Sequence, residues 1–187
     1  ERVYEFQEKL WAKMAKLIHA EKSEVAIARN TSDALCAIAN GIRFKKGDNV
    51  ITNDIEFASN VYPWMNLEKN GVETKILRNK EGKVLVEDIE RSIDEHTRVV
   101  TISSISMFTG FKAELEKIGE ICKERNVYFV VDAMQQLGAF DLDVKRSKID
   151  MLACGCSKWL MVPDGVAFLF VDKNVLEELD VRKVGWW

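Results

Sequence analysis

The chain has 187 residues with 27 basic and 30 acidic side chains, so its formal net charge is −3. This balance provides no basic surface for binding nucleic acid. The longest apolar runs, at 127–131 and 166–171, have the length of a strand and are far shorter than the roughly 18 residues of a membrane span. We therefore expect a globular protein that has neither a nucleic acid nor a membrane as its partner.

The four cysteines are dispersed through a chain that is large enough to form a core without disulfides. The pair Cys154 and Cys156 has no accompanying CxxC motif and no histidine pair, and so we predict that no metal is bound. Cys36 and Cys122 lie in predicted helices and are expected to be core thiols. The N-terminal residues lack the pattern of a signal peptide, which together with the cysteines favours a reduced, cytoplasmic location.

Helical and extended patterns alternate along the chain. Apolar residues recur at helical spacing over 3–20, and the run at 127–131 is typical of a strand buried on two faces. We predict an α/β fold with a mostly parallel mixed sheet flanked by helices. Its predicted strands are 25–28, 49–53, 73–77, 98–103, 127–132, 151–153 and 165–171. Its predicted helices are 3–20, 32–43, 62–70, 86–93, 113–125 and 173–179.

Ligands of parallel sheets bind beyond the carboxyl ends of the strands, and polar residues follow three of the predicted strands. Thr31 and Ser32 begin a helix after the first strand, where hydroxyls and free N–H groups can hold a phosphate. The plain alternative is that one of the two caps the helix. Asp132 follows the most buried strand, where a carboxylate needs a partner unless it caps the next helix.

Lys158 stands on a tightly turned, mostly apolar loop after the predicted strand 151–153. An amine in such a place can form a Schiff base with a carbonyl group, although most lysines are solvated surface charges. A phosphate site, a carboxylate for a pyridine nitrogen and an amine for an aldehyde together match pyridoxal 5′-phosphate (PLP).

Several motifs in a fixed order resemble the class V aminotransferase family of fold type I PLP enzymes. That family includes aminotransferases, isopenicillin N epimerase-like proteins, cysteine desulfurases and selenocysteine lyases. The similarity extends from about residue 28 to residue 171. The motifs are NTSDA at 30–34, GDNVI at 47–51, EFASN at 56–60, SSIS at 103–106, VVDAMQQLGA at 130–139, SKWL at 157–160 and PDG at 163–165.

The resemblance implies a role for each matching residue. Lys158 would carry the cofactor as a Schiff base and move the substrate α-proton, Asp132 would pair with the pyridine nitrogen, and Gln135 would bind the ring 3-oxygen. Phe57 would stack on the ring. The phosphate would be held by Thr31, Ser32 and Ser157.

Four positions depart from the cysteine desulfurase pattern or from the family pattern. Phe57 and Ser157 stand where desulfurases typically have histidines, and Met107 stands where they often have an asparagine. Gly155 replaces a common phosphate-binding serine. These departures favour an aminotransferase or an epimerase-like enzyme. Desulfurase-type or selenocysteine lyase-type elimination and a non-catalytic domain that retains the fold are the alternatives.

The resemblance also implies the organisation of the whole protein. Residues 1–187 would be the large PLP-binding domain, a fragment without its small C-terminal domain. The substrate would be an amino acid, and the enzyme would be a homodimer. Two consecutive tryptophans, Trp186 and Trp187, are expected to be exposed and to fit a missing partner surface. The two histidines are assigned no role.

Overall fold

The computed structural model of the protein describes residues 2–180. Seven strands form one sheet: β1 (Val25–Ala28), β2 (Asn49–Asn53), β3 (Glu73–Leu77), β4 (Thr97–Ser103), β5 (Tyr128–Asp132), β6 (Met151–Gly155) and β7 (Ala167–Val171). The α-helices are α1 (Arg2–Leu17), α2 (Thr31–Gly41), α3 (Tyr62–Met65), α4 (Val86–Ser92), α5 (Leu115–Glu124) and α6 (Lys173–Leu176). Short 3₁₀ helices cover Lys22–Glu24, Ala58–Asn60 and Asn66–Asn70.

The strands follow the order β1-β7-β6-β5-β4-β2-β3 across the sheet. The pairings from β3 to β6 are parallel, whereas β7 is antiparallel to both β6 and β1. The predicted mixed, mostly parallel sheet is therefore confirmed. Since β2, β4, β5 and β6 run the same way, the loops that follow them meet at one edge of the sheet.

Helices cover both faces of the sheet, and each face has its own core. Strand β5 shows why, because Phe129 and Val131 point to one core and Val130 points to the other. On the first face the strands pack against α1, α4 and α5, and on the second they pack against α2 and α3. The continuous apolar run of β5 is thus explained by burial on two sides.

The predicted helix at 62–70 is shorter and tighter than expected. An α-helix covers Tyr62–Met65, and a 3₁₀ helix over Asn66–Asn70 then ends at Gly71, whose φ is 79°. Only Trp64 and Leu67 are buried in this segment. Their spacing of three residues matches the period of a 3₁₀ helix, and so the tighter winding keeps both in the core.

Two further expectations concern exposure. Cys122 is buried, as predicted, but Cys36 is exposed, and its assignment as a core thiol was wrong. Helix α2 buries the face that carries Leu35 and Ile38, and Cys36 points away from it. The expected exposure of Trp186 and Trp187 lies outside the described residues. None of the helices within residues 2–180 has the length and the hydropathy that are needed to cross a bilayer.

Candidate active site

Lys158 lies three residues after β6, at the edge of the sheet where the parallel strands end. Its side chain is exposed, with Nζ 5.9 Å from the centroid of the Phe57 ring. Nζ also donates a hydrogen bond to the Met107 sulfur at 3.7 Å. Within residues 2–180 it forms no ion pair, so no neighbouring carboxylate neutralises the amine.

Asp132 is the last residue of β5 and is only 5% exposed. One carboxyl oxygen accepts a hydrogen bond of 2.9 Å from the Met134 N–H group. Burial raises the pKa of Asp132 to about 7, and Met134 and the charge of Lys158 only partly oppose this shift. The residues after Asp132 form turns rather than a helix, so the capping alternative does not apply. Among the described residues, the buried Asp132 carboxyl therefore accepts fewer hydrogen bonds than its two oxygens can.

Gln135 is held close to Lys158 through the next residue along the lysine loop. The Trp159 indole N–H donates to Gln135 Oε1 at 3.3 Å. This contact links the turn after β5 to the loop after β6. It leaves the Gln135 amide nitrogen without an acceptor in the described part of the chain, so that nitrogen can donate to a ligand.

The N-terminus of α2 presents Thr31 and Ser32, but neither residue caps the helix. The N-cap is Asn30, whose side chain accepts from the Asp33 N–H at 2.8 Å. The alternative in which Thr31 or Ser32 is the cap was therefore wrong. The Ser32 hydroxyl lies 2.8 Å from the Ser59 hydroxyl, and the buried Thr31 hydroxyl donates to the Met134 sulfur at 3.3 Å.

Gly155 brings the end of β6 against the N-terminus of α2. A Cβ atom on Gly155 would lie 2.7 Å from Thr31 Oγ1, which is closer than a Cβ contact allows, and 3.0 Å from Met134 Cε, at the flexible end of that side chain. The serine that is common at this position would therefore require the Thr31 hydroxyl to shift. Ser157 follows two residues later, half-buried, and its hydroxyl contacts no hydrogen-bond partner among the residues described.

Glu56 is a buried acid of this region to which sequence reasoning assigned no role. It is 9% exposed, and burial raises the pKa of its carboxyl. It accepts hydrogen bonds from the backbone of Phe57 and from Ser103 at the end of β4. The available signal was a charged residue directly before Phe57 in the loop after β2. The sulfur contacts of Met107 and Met134 were not predicted.

These groups meet the chemical requirements of PLP. Within residues 2–180, the Lys158 amine has no ion-pair partner and suits the cofactor aldehyde, and the second carboxyl oxygen of Asp132 accepts no hydrogen bond and suits a protonated pyridine nitrogen. The Phe57 ring suits the face of the cofactor ring. A helix N-terminus with two hydroxyls suits the phosphate. An α/β sheet with such a site is the cofactor-binding fold of the fold type I PLP enzymes.

The chain belongs to the aminotransferase class-V family, whose model matches residues 1–185. It is 35% identical over 174 residues to a probable cysteine desulfurase of Methanothermobacter thermautotrophicus, covering 92% of this chain and 44% of that protein. It is 30% identical to the uncharacterized aminotransferase YcbU of Bacillus subtilis, covering 92% of this chain and 46% of that protein.

The fold is also that of solved members of the family. The apo structure of a cysteine desulfurase from Thermococcus onnurineus NA1 matches with a TM-score of 0.89 and 28% identity, covering 96% of this chain and 46% of that chain. The chain thus spans about half the length of the relatives that it matches. Family membership confirms PLP as the cofactor.

Proposed function

We propose that residues 1–187 are the cofactor-binding domain of a longer PLP enzyme that removes sulfur from cysteine. The observation that carries the PLP chemistry is the position of Lys158, whose unpaired amine lies 5.9 Å from the Phe57 ring. The choice of cysteine is supported by the relatives, because the probable desulfurase of M. thermautotrophicus is 35% identical to this chain.

Each residue has a definite task in this proposal. PLP, when bound, supplies an electron-withdrawing ring that acidifies the Cα–H bond of the amino acid. Lys158 carries the cofactor and then moves the Cα proton, for which its exposed amine is placed. Asp132 holds the pyridine nitrogen, and Phe57 packs on the ring face.

The remaining site residues orient the cofactor. Gln135 donates its amide to the ring 3-oxygen, while Thr31, Ser32 and Ser157 bind the phosphate at the N-terminus of α2. The Asn30 cap supports this assignment, since it leaves the hydroxyls of Thr31 and Ser32 free of the capping role.

A second candidate function is transamination or epimerisation of an amino acid. It is favoured by Phe57, which cannot act as an acid or a base, and by Ser157 and Met107 in place of titratable or amide side chains. The similarity to YcbU points in the same direction. Both candidates use Lys158, Asp132 and Gln135 in the same way.

We also propose that the protein is a cytoplasmic homodimer. Large apolar side chains are exposed close to Lys158, among them Phe108 at 63%, Trp159 at 54% and Met161 at 87%. A second subunit would cover such a group of side chains. Light scattering of the full-length protein tests this, and a monomer at micromolar concentration would refute it.

The function is tested by incubating the full-length protein with PLP, reducing it with borohydride and mapping the modified peptide by mass spectrometry. A pyridoxyl group on Lys158, absent in Lys158→Ala, is expected. A separate sample of the PLP-loaded full-length protein, not treated with borohydride, is supplied with L-cysteine and a thiol. Alanine together with reduced sulfur supports desulfuration. Conversion of the cofactor to its amine form, or racemised amino acid, supports the second candidate. The absence of any labelled lysine would favour a non-catalytic domain.

A further inference from the structure

The loop between β2 and α3 carries Phe57, and its backbone is fastened to β4 on both sides of that residue. On the N-terminal side, the Glu56 carboxyl accepts from the Phe57 N–H at 2.8 Å. The same carboxyl accepts from the N–H and the hydroxyl of Ser103, the last residue of β4. The side-chain amide of Asn53, at the end of β2, also donates to the Glu56 carboxyl, at 3.3 Å.

On the C-terminal side, Asn60 completes the attachment. Its backbone N–H donates to the Phe57 carbonyl at 2.8 Å. Its fully buried side chain accepts from the Thr101 hydroxyl at 2.6 Å and from the Trp64 indole at 3.3 Å. Thr101 and Ser103 are two residues apart on β4 and thus face the same side of the sheet. Both polar groups of the Phe57 backbone are therefore tied to one strand.

Holding a loop in place with a buried carboxyl is energetically unfavourable. Within residues 2–180, no basic side chain forms an ion pair with Glu56, and its compensation comes only from uncharged donors. Burying a carboxyl without a cation costs stability even where uncharged donors bind it. One of the four contacts comes from the backbone N–H of Phe57, whose ring lies by Lys158, and the other three attach the carboxyl to Ser103 and Asn53. The carboxyl therefore joins the Phe57 backbone to the ends of β2 and β4. This arrangement holds the Phe57 backbone in a defined position.

We infer that Glu56 is a positioning residue, which acts with Asn60 to fix the Phe57 ring over the bound cofactor. The inference rests on the proposed stacking of Phe57 on PLP. The side chain of Phe57 is itself 37% exposed, so its direction depends in large part on the backbone beneath it. Loss of the Glu56 tether leaves Phe57 present but misplaced.

The substitution Glu56→Gln breaks the tether with almost no change in shape. One carboxyl oxygen faces the Phe57 N–H, and the other faces the Ser103 N–H. Either orientation of a glutamine amide places an NH₂ group against one of these two donors. Asp54→Asn is the matched control, because Asp54 lies in the same loop but binds Asn79 and Arg78 instead.

The first measurement is amide hydrogen exchange of the full-length apoprotein, which does not depend on the cofactor. In Glu56→Gln, the Phe57 or the Ser103 amide should exchange at least about tenfold faster, as expected for the loss of one buried hydrogen bond. Asp54→Asn should leave both amides as protected as in the wild type. Equal protection in Glu56→Gln and the wild type would overturn the inference.

The second measurement is a double-mutant cycle with Phe57→Leu, read by the circular dichroism of bound PLP and by the dissociation constant of PLP. Glu56→Gln alone should weaken PLP binding several-fold and change the dichroism, and it should add nothing in the Phe57→Leu background. Equal effects in both backgrounds would show that Glu56 acts on the fold rather than through Phe57. If PLP fails to label Lys158 of the wild-type protein, that result would refute the proposed function instead.

If Glu56→Gln does not fold, Ser103→Ala replaces it in both measurements. This variant removes only the hydroxyl contact to Glu56 and keeps the backbone donor of β4. The same coupling to Phe57→Leu is expected with a smaller amplitude. Additive behaviour in this cycle would count against the inference as well.

Discussion

Among the carboxyl groups that are buried in the described part of the chain, Glu24 and Asp132 have opposite surroundings. Glu24, just before β1, is 3% exposed and binds Lys145 and the backbone N–H groups of Glu21 and Lys173. Asp132 is 5% exposed and, among residues 2–180, accepts from a single N–H donor, that of Met134. The first carboxyl is satisfied within the chain, whereas the second keeps capacity for a ligand.

The pKa values of the two groups follow from this difference. Burial opposes ionisation of Glu24, but Lys145 and the backbone donors outweigh it and lower its pKa. At Asp132 burial dominates and raises the pKa to about 7. In this pair, the compensated buried charge is a structural contact, and the uncompensated one lies in the candidate site. The predictions below test that distinction.

The largest expected effect is on function, at Lys158. Lys158→Ala should reduce turnover of the PLP-loaded full-length enzyme by at least about a thousand-fold, because both cofactor attachment and proton transfer are lost. Its unfolding free energy should match the wild type, since the side chain is exposed. Assays of initial rate and urea unfolding check both expectations. Lys148→Ala, which changes a surface lysine paired with Glu120, is the control and should retain its turnover.

The next effect is the change with pH in the free energy of unfolding that Asp132 contributes. In the folded apoprotein this group keeps its proton up to about pH 7, whereas the unfolded chain releases it near the ordinary value of 3.8. The folded state thus binds more protons between these values, and its contribution to stability is lost as the pH rises. The loss amounts to about 4 kcal/mol at most.

Asp132→Asn removes this titration and should flatten that part of the stability profile. Urea unfolding of wild type and variant at several pH values from 4 to about 8 gives the difference. PLP affinity should fall in the variant at the same time. A difference between the two proteins that does not change with pH would show that Asp132 titrates normally.

A smaller loss of stability is expected from Lys145→Met, which leaves Glu24 buried without its cation. Since Lys145 is partly exposed, we expect about 2–3 kcal/mol, below the usual cost of breaking a fully buried pair. The stability contribution of Glu24 changes with pH in the opposite direction to that of Asp132. The Glu24 contribution is present above its ordinary pKa of 4.5 and is lost as the pH falls. PLP binding should be unchanged, and a loss of PLP affinity equal to that of Asp132→Asn would contradict the comparison.

The smallest effect is expected at the cap of α2. Asn30→Ala should lower the unfolding free energy by about 1 kcal/mol, since it removes the hydrogen bond to the Asp33 N–H. Ser32→Ala should leave stability within about 0.5 kcal/mol and weaken PLP binding. Thermal unfolding and PLP titration of both variants separate capping from phosphate binding. Equal losses of stability would place Ser32 in the cap.

Local patterns predicted much of the fold, and the failures have physical causes. Strands β2 and β3 occupy the predicted residues 49–53 and 73–77, because each is bounded by turn residues. The antiparallel pairing of β1 with β7 could not be predicted from either segment alone. The two strands are distant in sequence, and their pairing depends on how the whole sheet packs. Exposure of Cys36 depends on the rotation of α2 by a single residue, which its short apolar stripe defines poorly.

Positions after strands predicted Thr31, Ser32, Asp132 and Lys158 as site residues. Phe57, Gln135 and Ser157 followed from the family resemblance, and the residues that support the site were not predicted. Asp132 and Lys158 follow strands that the apolar pattern identifies clearly. Glu56 is apparent only when the ends of β2 and β4 are seen side by side, because its partner Ser103 is distant in the chain. Asn30 competed with Thr31 and Ser32 for the same cap, and composition alone does not separate these residue types.

The pairing of β1 with β7 sets the order in which the sheet can assemble. Val25 pairs with Phe170 and Ala28 pairs with Ala167, so β1 finds its neighbour only after synthesis has passed β7, about 140 residues later. The parallel strands β2 to β6 have their partners earlier. During synthesis on the ribosome, the β1 segment must wait unpaired, and its arrival covers the edge of β7. Among the seven described strands, the pairing that becomes possible last during synthesis joins β1 to β7.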